Sequence, residues 1–201
     1  MPKINENFQS IFKDIKYLLF NATKNRNHPF HTPVFSNISD KNIVENRLVV
    51  LRKFDDKKMI INFHTDFRSP KIKGIEKNSN SSFLFYDPEI KIQLRIKSIS
   101  TINNQNKITQ QAWNFTKLSS RKCYLTKKSP SSISKKPEDG IPKHLKGIDP
   151  SIEESEDGYK NFVVMQNKIL KIDWLNLASS GHRRLSIDFK NQTPYFEWLI
   201  P

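Results

Sequence analysis

From Val34 onward the apolar residues of this 201-residue chain recur at every second position in short runs divided by turn residues, a pattern that commits most of the chain to antiparallel strands. Arg47 to Phe54 and Met59 to Thr65 flank the polar loop Asp55-Asp56-Lys57-Lys58, as a hairpin requires. Ser82 to Tyr86 and Ile90 to Ile102 form a second pair around Asp87-Pro88-Glu89, and the longer run alternates Ile92, Leu94, Ile96 with Gln93, Arg95, Lys97. Asn161 to Trp174, Arg184 to Phe189 and Tyr195 to Ile200 supply three more strand-like segments. Upstream, residues 6–24 place Phe8, Ile11, Phe12, Ile15, Leu18 and Leu19 on one face of an amphipathic helix, and a second helix is expected over Lys107 to Lys117. Residues 127–160, rich in Ser, Pro, Lys and acids, read as a long mobile loop. The expectation is one domain over residues 1–201, mainly β with flanking helices (α+β), its antiparallel sheet closed into a barrel.

Composition narrows the function. Fourteen Phe among 11% aromatic residues are enough to build a core, and one cysteine, Cys123, excludes an internal disulfide and a cysteine-based zinc site. Cys123 is expected to be a small buried hydrophobe in a reducing cytoplasm. The five histidines follow no metal-ligand spacing, so no metal is assigned, and no G-x-S-x-G elbow supports a hydrolase. No apolar run is long enough for a signal peptide or a membrane span, so a soluble protein without membrane partners is expected. The net charge of +14 is uneven: residues 1–136 hold 26 basic and 10 acidic side chains, residues 137–201 hold 8 and 10. Such a field attracts polyanions or phosphorylated small molecules, although scattered solvated lysines give the same sum. A basic nucleic-acid-binding barrel would use Phe63, Phe67, Phe83, Phe85 and Tyr86 as a stacking surface, but their apolar strand setting favours a core role, leaving nucleic acid the less favoured partner.

The stretch that carries chemistry is His64-Thr65-Asp66-Phe67-Arg68-Ser69-Pro70-Lys71, where a strand hands over to a helix. Ser69 suits the N-cap and Pro70 the first helical position, which leaves Thr65, Ser69 and Lys71 around exposed backbone N–H groups that favour an anion. An ordinary capped helix with solvated lysines would read the same way. Antiparallel pairing of the first hairpin brings Arg47 to the end of the strand carrying His64 and Thr65, so a bidentate guanidinium joins the ammonium, a pair suited to a phosphomonoester.

The run Arg47-Leu48-Val49-Val50-Leu51-Arg52, the His64 to Lys71 segment and Gln93-Leu94-Arg95 together resemble the flavin mononucleotide (FMN) binding split barrel of the pyridoxamine 5′-phosphate oxidase family. The resemblance implies a six-stranded antiparallel split β-barrel and a homodimer with FMN at the subunit interface. It implies that Arg47, Ser69 and Lys71, with Pro70 between them, hold the FMN phosphate. Val49 and Val50 would face the ring, with Leu48 counted among the cofactor-binding residues, His64 and Thr65 would border it, and Gln93 would hydrogen-bond a ring or ribityl group. More faintly, Ile172-Asp173-Trp174-Leu175, Gly181 to Leu185 and the closing Trp198 to Pro201 resemble late family motifs, adding Trp174 and Arg184 as cofactor contacts. The family's Q-S flavin contact would fall near Lys128-Ser129. Where the oxidase reads R-L-H-D-R this chain reads Arg183-Arg184-Leu185-Ser186-Ile187, so the substrate histidine is missing, and its substrate-phosphate segment has only Trp113-Asn114-Phe115 and Ser119-Ser120-Arg121 in its place. The chain therefore resembles a divergent relative rather than the oxidase itself, with Arg52, Arg121 and Arg183 as candidates for binding an anionic substrate of unknown identity. The implied activity is a flavin-dependent oxidoreductase; a non-catalytic FMN-binding or storage protein shares the same site.

Overall fold

The computed structural model describes residues 7–190 and 193–201. Helix α1 (Phe8–Lys24) buries Ile11, Ile15 and Leu19, the face its spacing predicts, and Asn7 caps it by accepting the Gln9 N–H at 2.9 Å. Phe8, Phe12 and Leu18 pack partly buried beside them.

Nine strands follow: β1 (Val34–Ile38), β2 (Val44–Leu48), β3 (Lys53–Asp55), β4 (Ile60–Asp66), β5 (Asn80–Asp87), β6 (Ile92–Asn104), β7 (Phe162–Asn176), β8 (Arg183–Lys190) and β9 (Thr193–Leu199). All pair antiparallel in one sheet of order β2-β1-β5-β6-β7-β4-β3, with β8 on β7 and β9 on β8. The two ends of that order, β2 and β3, are consecutive in the chain. Between them the Val49 N–H donates to Pro33 O at 3.1 Å, the Leu51 N–H to His31 O at 2.9 Å and the Arg52 N–H to Asn62 O at 2.9 Å. Residues 44–55 are thus one bent strand that leaves β1 and joins β4. Counted that way, a ring of six strands closes (β1, β2–β3, β4, β7, β6, β5), and β8 and β9 lie outside it.

This changes one expectation about register. The hairpin partner of β4 is only Lys53–Asp55, and Arg47 pairs with Phe35 of β1 instead of with the end of β4. No glycine or proline interrupts residues 44–55, so the sequence carries no turn signal at the change of partner.

Strand β7 also changes partner. It pairs with β4 over residues 162–168 and with β8 over 171–176, and the switch falls at a bulge where Lys97 faces Lys171 but Ser98 faces Ile169, leaving Leu170 unopposed. The barrel interior is aromatic: Phe35 stacks against Phe63 at 4.8 Å and Phe83 at 5.1 Å, each fully buried phenyl contributing roughly 1.5–3 kcal/mol.

Four further helices flank the sheet: α2 (Lys71–Lys77), α3 (Lys107–Asn114), α4 (Leu118–Arg121) and α5 (Ile152–Glu156). Within residues 127–160, α5 and two 3-10 turns bury Leu145 and Ser155, so that segment carries structure of its own. No helix among the described residues is long and apolar enough to cross a membrane.

Candidate functional site

Strand alternation sorts the predicted residues. On β4, Thr65 shares the inward face with Ile61 and Phe63, whereas Asn62 and His64 point the other way. At the inward end, the Lys71 Nζ donates to Thr65 Oγ1 at 2.9 Å and to Ser69 Oγ at 2.6 Å. Ser69 does not cap α2: the N-cap position falls on Pro70, and the Ser69 hydroxyl turns to the lysine instead. Burial, then the neighbouring Arg47 guanidinium, pull Lys71 down to about 8, against the opposing pull of Asp66 and Glu45. Arg47 therefore reaches the cluster, but by way of β1. Its guanidinium lies 5.8 Å from the Phe35 ring centroid, donates to Asn37 Oδ1 and pairs with Glu45 at 2.6 Å.

A partly buried ammonium whose hydrogen bonds, among the described residues, go to two neutral hydroxyls is a site short of an anion. Arg47, Thr65, Ser69 and Lys71 form a cradle that fits a phosphate monoester. Asn37 and Glu45, which hold the arginine fork, were not foreseen; the one available signal was Asn37 on the inward face of β1 beside Phe35.

The remaining candidates fall elsewhere. Leu48 points outward and is 68% exposed, while Val49 and Val50 are half-buried on the link that closes the barrel. His64 faces the opposite side of β4 from Thr65, edge-on to Phe162 at 4.7 Å, and burial, then Arg52, bring it down to about 3, so the ring is neutral at physiological pH. Arg52 and His64 line a cleft against α3 together with Asn62, Gln111 and Gln166.

Gln93 lies on β6 opposite the far end of β7, where Gln93, Leu175 and Arg184 form one row across β6, β7 and β8. On β7 that row is eleven residues from Val164, the partner of His64. Beside it Asp173 pairs with Arg95 at 2.6 Å and Arg184 at 2.8 Å. Burial would raise the Asp173 pKa, but the hydrogen bonds from Arg184 and Arg95 outweigh it and hold the carboxyl below its ordinary value.

Three readings are corrected. Trp174 is 4% exposed in the core, with Arg183 5.8 Å from its ring centroid, and has no open face for a cofactor. Arg121 is a structural clasp: its Nε donates to Thr116 O, its Nη1 to Ser155 and Glu156, its Nη2 to Trp113 O, and it lies 4.5 Å from the Trp113 ring centroid. Cys123 is exposed, not buried. Lys128 and Ser129 pair with Glu138 and Ser132 within their own segment. Phe63, Phe83 and Phe85 are buried, which removes most of the aromatic surface a nucleic-acid reading needs. Among the described residues no cluster of three or more His, Cys, Asp or Glu could hold a metal ion.

Residues 13–104, which include Arg47, Thr65, Ser69, Lys71 and Gln93, match the model of the pyridoxamine 5′-phosphate oxidase FMN-binding domain. Over these residues the chain is similar to the FMN-binding domain of this oxidase family. Solved structures agree in fold. A pyridoxamine 5′-phosphate oxidase-related, FMN-binding protein of Nostoc punctiforme superposes with a TM-score of 0.74 at 18% identity, over 94% of this chain and 96% of its own. PhzG of Burkholderia lata, in complex with tetrahydrophenazine-1-carboxylic acid, gives 0.70 at 13% identity over 100% and 97%. A Clostridium acetobutylicum protein related to general stress protein 26 gives 0.59 at 8% identity over 93% and 100%. No curated protein matches the sequence significantly.

Proposed function

We propose that this chain binds FMN and uses it in the two-electron oxidation or reduction of a small anionic molecule, acting as a homodimer with the cofactor at the subunit interface. The observation that carries the reading is the Lys71 ammonium, desolvated beside Arg47 and hydrogen-bonded, among the described residues, only to Thr65 and Ser69. A phosphate there would accept from the lysine, both hydroxyls and the arginine fork. The run from Arg47 to Arg52 spans at most roughly 17 Å and leads from that cradle to the cleft holding His64. Bound along it, the flavin would supply the hydride chemistry, while the protein fixes the phosphate, orients the ring and keeps water from it.

A dimer accounts for the far row. Gln93 and Arg184 share the outward sheet face with exposed Leu48, Leu84 and Tyr86, an apolar patch suited to a second copy. Gln93 and Arg184 of the partner subunit would complete the cofactor site. The anionic substrate is supported by Arg52, Lys53, Lys58 and Lys117 around the cleft, against the single acid Asp55. The carboxylic acid bound by the Burkholderia protein is in keeping with it.

The test is the visible spectrum of the purified protein before and after adding FMN, with chromatography of any flavin released on denaturation and light scattering of the loaded protein. One FMN per chain in a dimer is expected. A colourless protein whose added FMN shows no spectral shift would refute the reading. A yellow protein that no reductant or oxidant of small anionic type turns over would leave a storage or sensing role.

A further inference from the structure

We propose that the outer crest of α1 docks on an anionic membrane surface, with Tyr17 and Phe20 set into the headgroup layer and Lys13 and Lys24 held against the lipid phosphates and carboxylates. The inference is independent of the flavin reading, because α1 supplies none of the residues named at the cradle or the cleft.

The geometry of the helix singles out these four side chains. Ile11, Ile15, Leu19 and Ala22, all buried, mark its inner face. At about 100° per residue, the opposite direction carries Lys13, Tyr17, Phe20 and Lys24 within an arc of about 60°. Tyr17 is 66% exposed and Phe20 52%. The crest of a surface helix is ordinarily its most polar strip. Here two aromatic rings, one turn apart, occupy the middle, and a lysine stands one turn beyond each. The Lys24 Nζ lies 5.7 Å from the Phe20 ring centroid, so its stem runs along the ring and carries the ammonium past it. Asp14, the one acid of this helix, forms no ion pair among the described residues, and the exposed Arg26 follows in the next turn.

Charge selects an anionic partner, and shape selects a surface. A second copy seated on this crest would bring lysine against lysine. A peptide docks in a groove between elements, whereas these side chains stand on the convex side of the helix, which meets a plane first. At a bilayer boundary the rings enter below the headgroups while the lysine stems keep their ammonium groups among the phosphates. Lys13 and Lys24 are about 16 Å apart along the axis, so both reach lipid only if the helix lies flat. The net charge of +14 adds a long-range attraction to the same surface. The expectation of no membrane partner rested on the lack of a span, and lying on a bilayer needs none.

The test is cosedimentation of the full chain with vesicles of phosphatidylcholine containing about one quarter phosphatidylserine, against vesicles of phosphatidylcholine alone. Binding at least about tenfold tighter to the anionic vesicles, and lost as salt rises, is expected. Lys13→Glu with Lys24→Glu, and separately Tyr17→Ser with Phe20→Ser, should each weaken it at least about tenfold while leaving thermal melting unchanged, since all four side chains face solvent. Lys135→Glu with Lys136→Glu makes the same change of net charge at exposed positions elsewhere and should leave most of the binding in place. No sedimentation with anionic vesicles, equal binding to both lipids, or equal losses in the two charge-reversed variants would overturn the proposal. So would an oligonucleotide that binds through the same four residues more tightly than the vesicles do, which would give the crest to nucleic acid. FMN uptake plays no part in any of these readouts, so the two readings fail separately.

Discussion

The Lys71 ammonium lies 2.6 Å from the Ser69 hydroxyl, in a position where that serine would ordinarily cap a helix. The side chain is held ready for an anion, and its ionisation sets the pH range of binding. With Lys71 lowered to about 8 and a phosphomonoester second pKa of about 6, FMN affinity should be greatest between those values. An anion raises the lysine pKa, so the lysine's share of the affinity is fully present below about 8 and falls as pH rises through it, by up to about tenfold per unit. Lys71→Arg should abolish the alkaline fall; Lys71→Met should weaken binding by about 1.5–3 kcal/mol, read by flavin fluorescence quenching.

Glu45 competes for the arginine fork. It holds Arg47 Nη2 at 2.6 Å from a partly exposed carboxylate, a contact that a phosphate must share or displace. Glu45→Gln should therefore tighten FMN binding a few-fold, about 0.5–1 kcal/mol, whereas Arg47→Ala should weaken it. Equal affinity in Glu45→Gln and the parent chain would show that the carboxylate and the phosphate do not meet.

Arg121 should matter to stability and not to the cofactor. Arg121→Met leaves the Trp113 and Thr116 carbonyls and the Ser155 hydroxyl without their donor, at a cost of about 2–4 kcal/mol. A lowered urea midpoint with unchanged FMN affinity is expected from paired denaturation and fluorescence titrations.

Gly74 fixes where the lysine stands. A Cβ there would lie 2.5 Å from Ile38 O and 2.9 Å from Ser39 Cα, both backbone atoms of the β1 end. Gly74→Ala must push α2 away from β1, costing about 1–3 kcal/mol and carrying Lys71, one turn earlier, off its hydroxyls. Thermal melting and FMN titration should both register the change.

Much of this was legible from residue order. The 3.6-residue spacing of Ile11, Ile15 and Leu19 gives α1, and the period-two runs give the long strands, because burial on one face imposes both patterns. Thr65, Ser69 and Lys71 lie within seven residues, so local spacing brought them together. Arg47 reached the cluster by a route the sequence did not disclose, since partner choice along residues 44–55 is decided by packing across the barrel. Arg121 was misread because a guanidinium in a basic stretch looks the same whether it faces solvent or is tied to Trp113 and Glu156.

The bent strand of residues 44–55 gives the barrel a seam. Among the described residues only the Val49, Leu51 and Arg52 amides stitch the link between β2 and β3, so local opening should start there before the paired strands part. A ligand lying from Arg47 to Arg52 would straddle this seam like a zip fastener, and each of its own contacts would also hold the ring shut. Cofactor loss and barrel opening then become a single event, and amide hydrogen exchange at those three residues would time both.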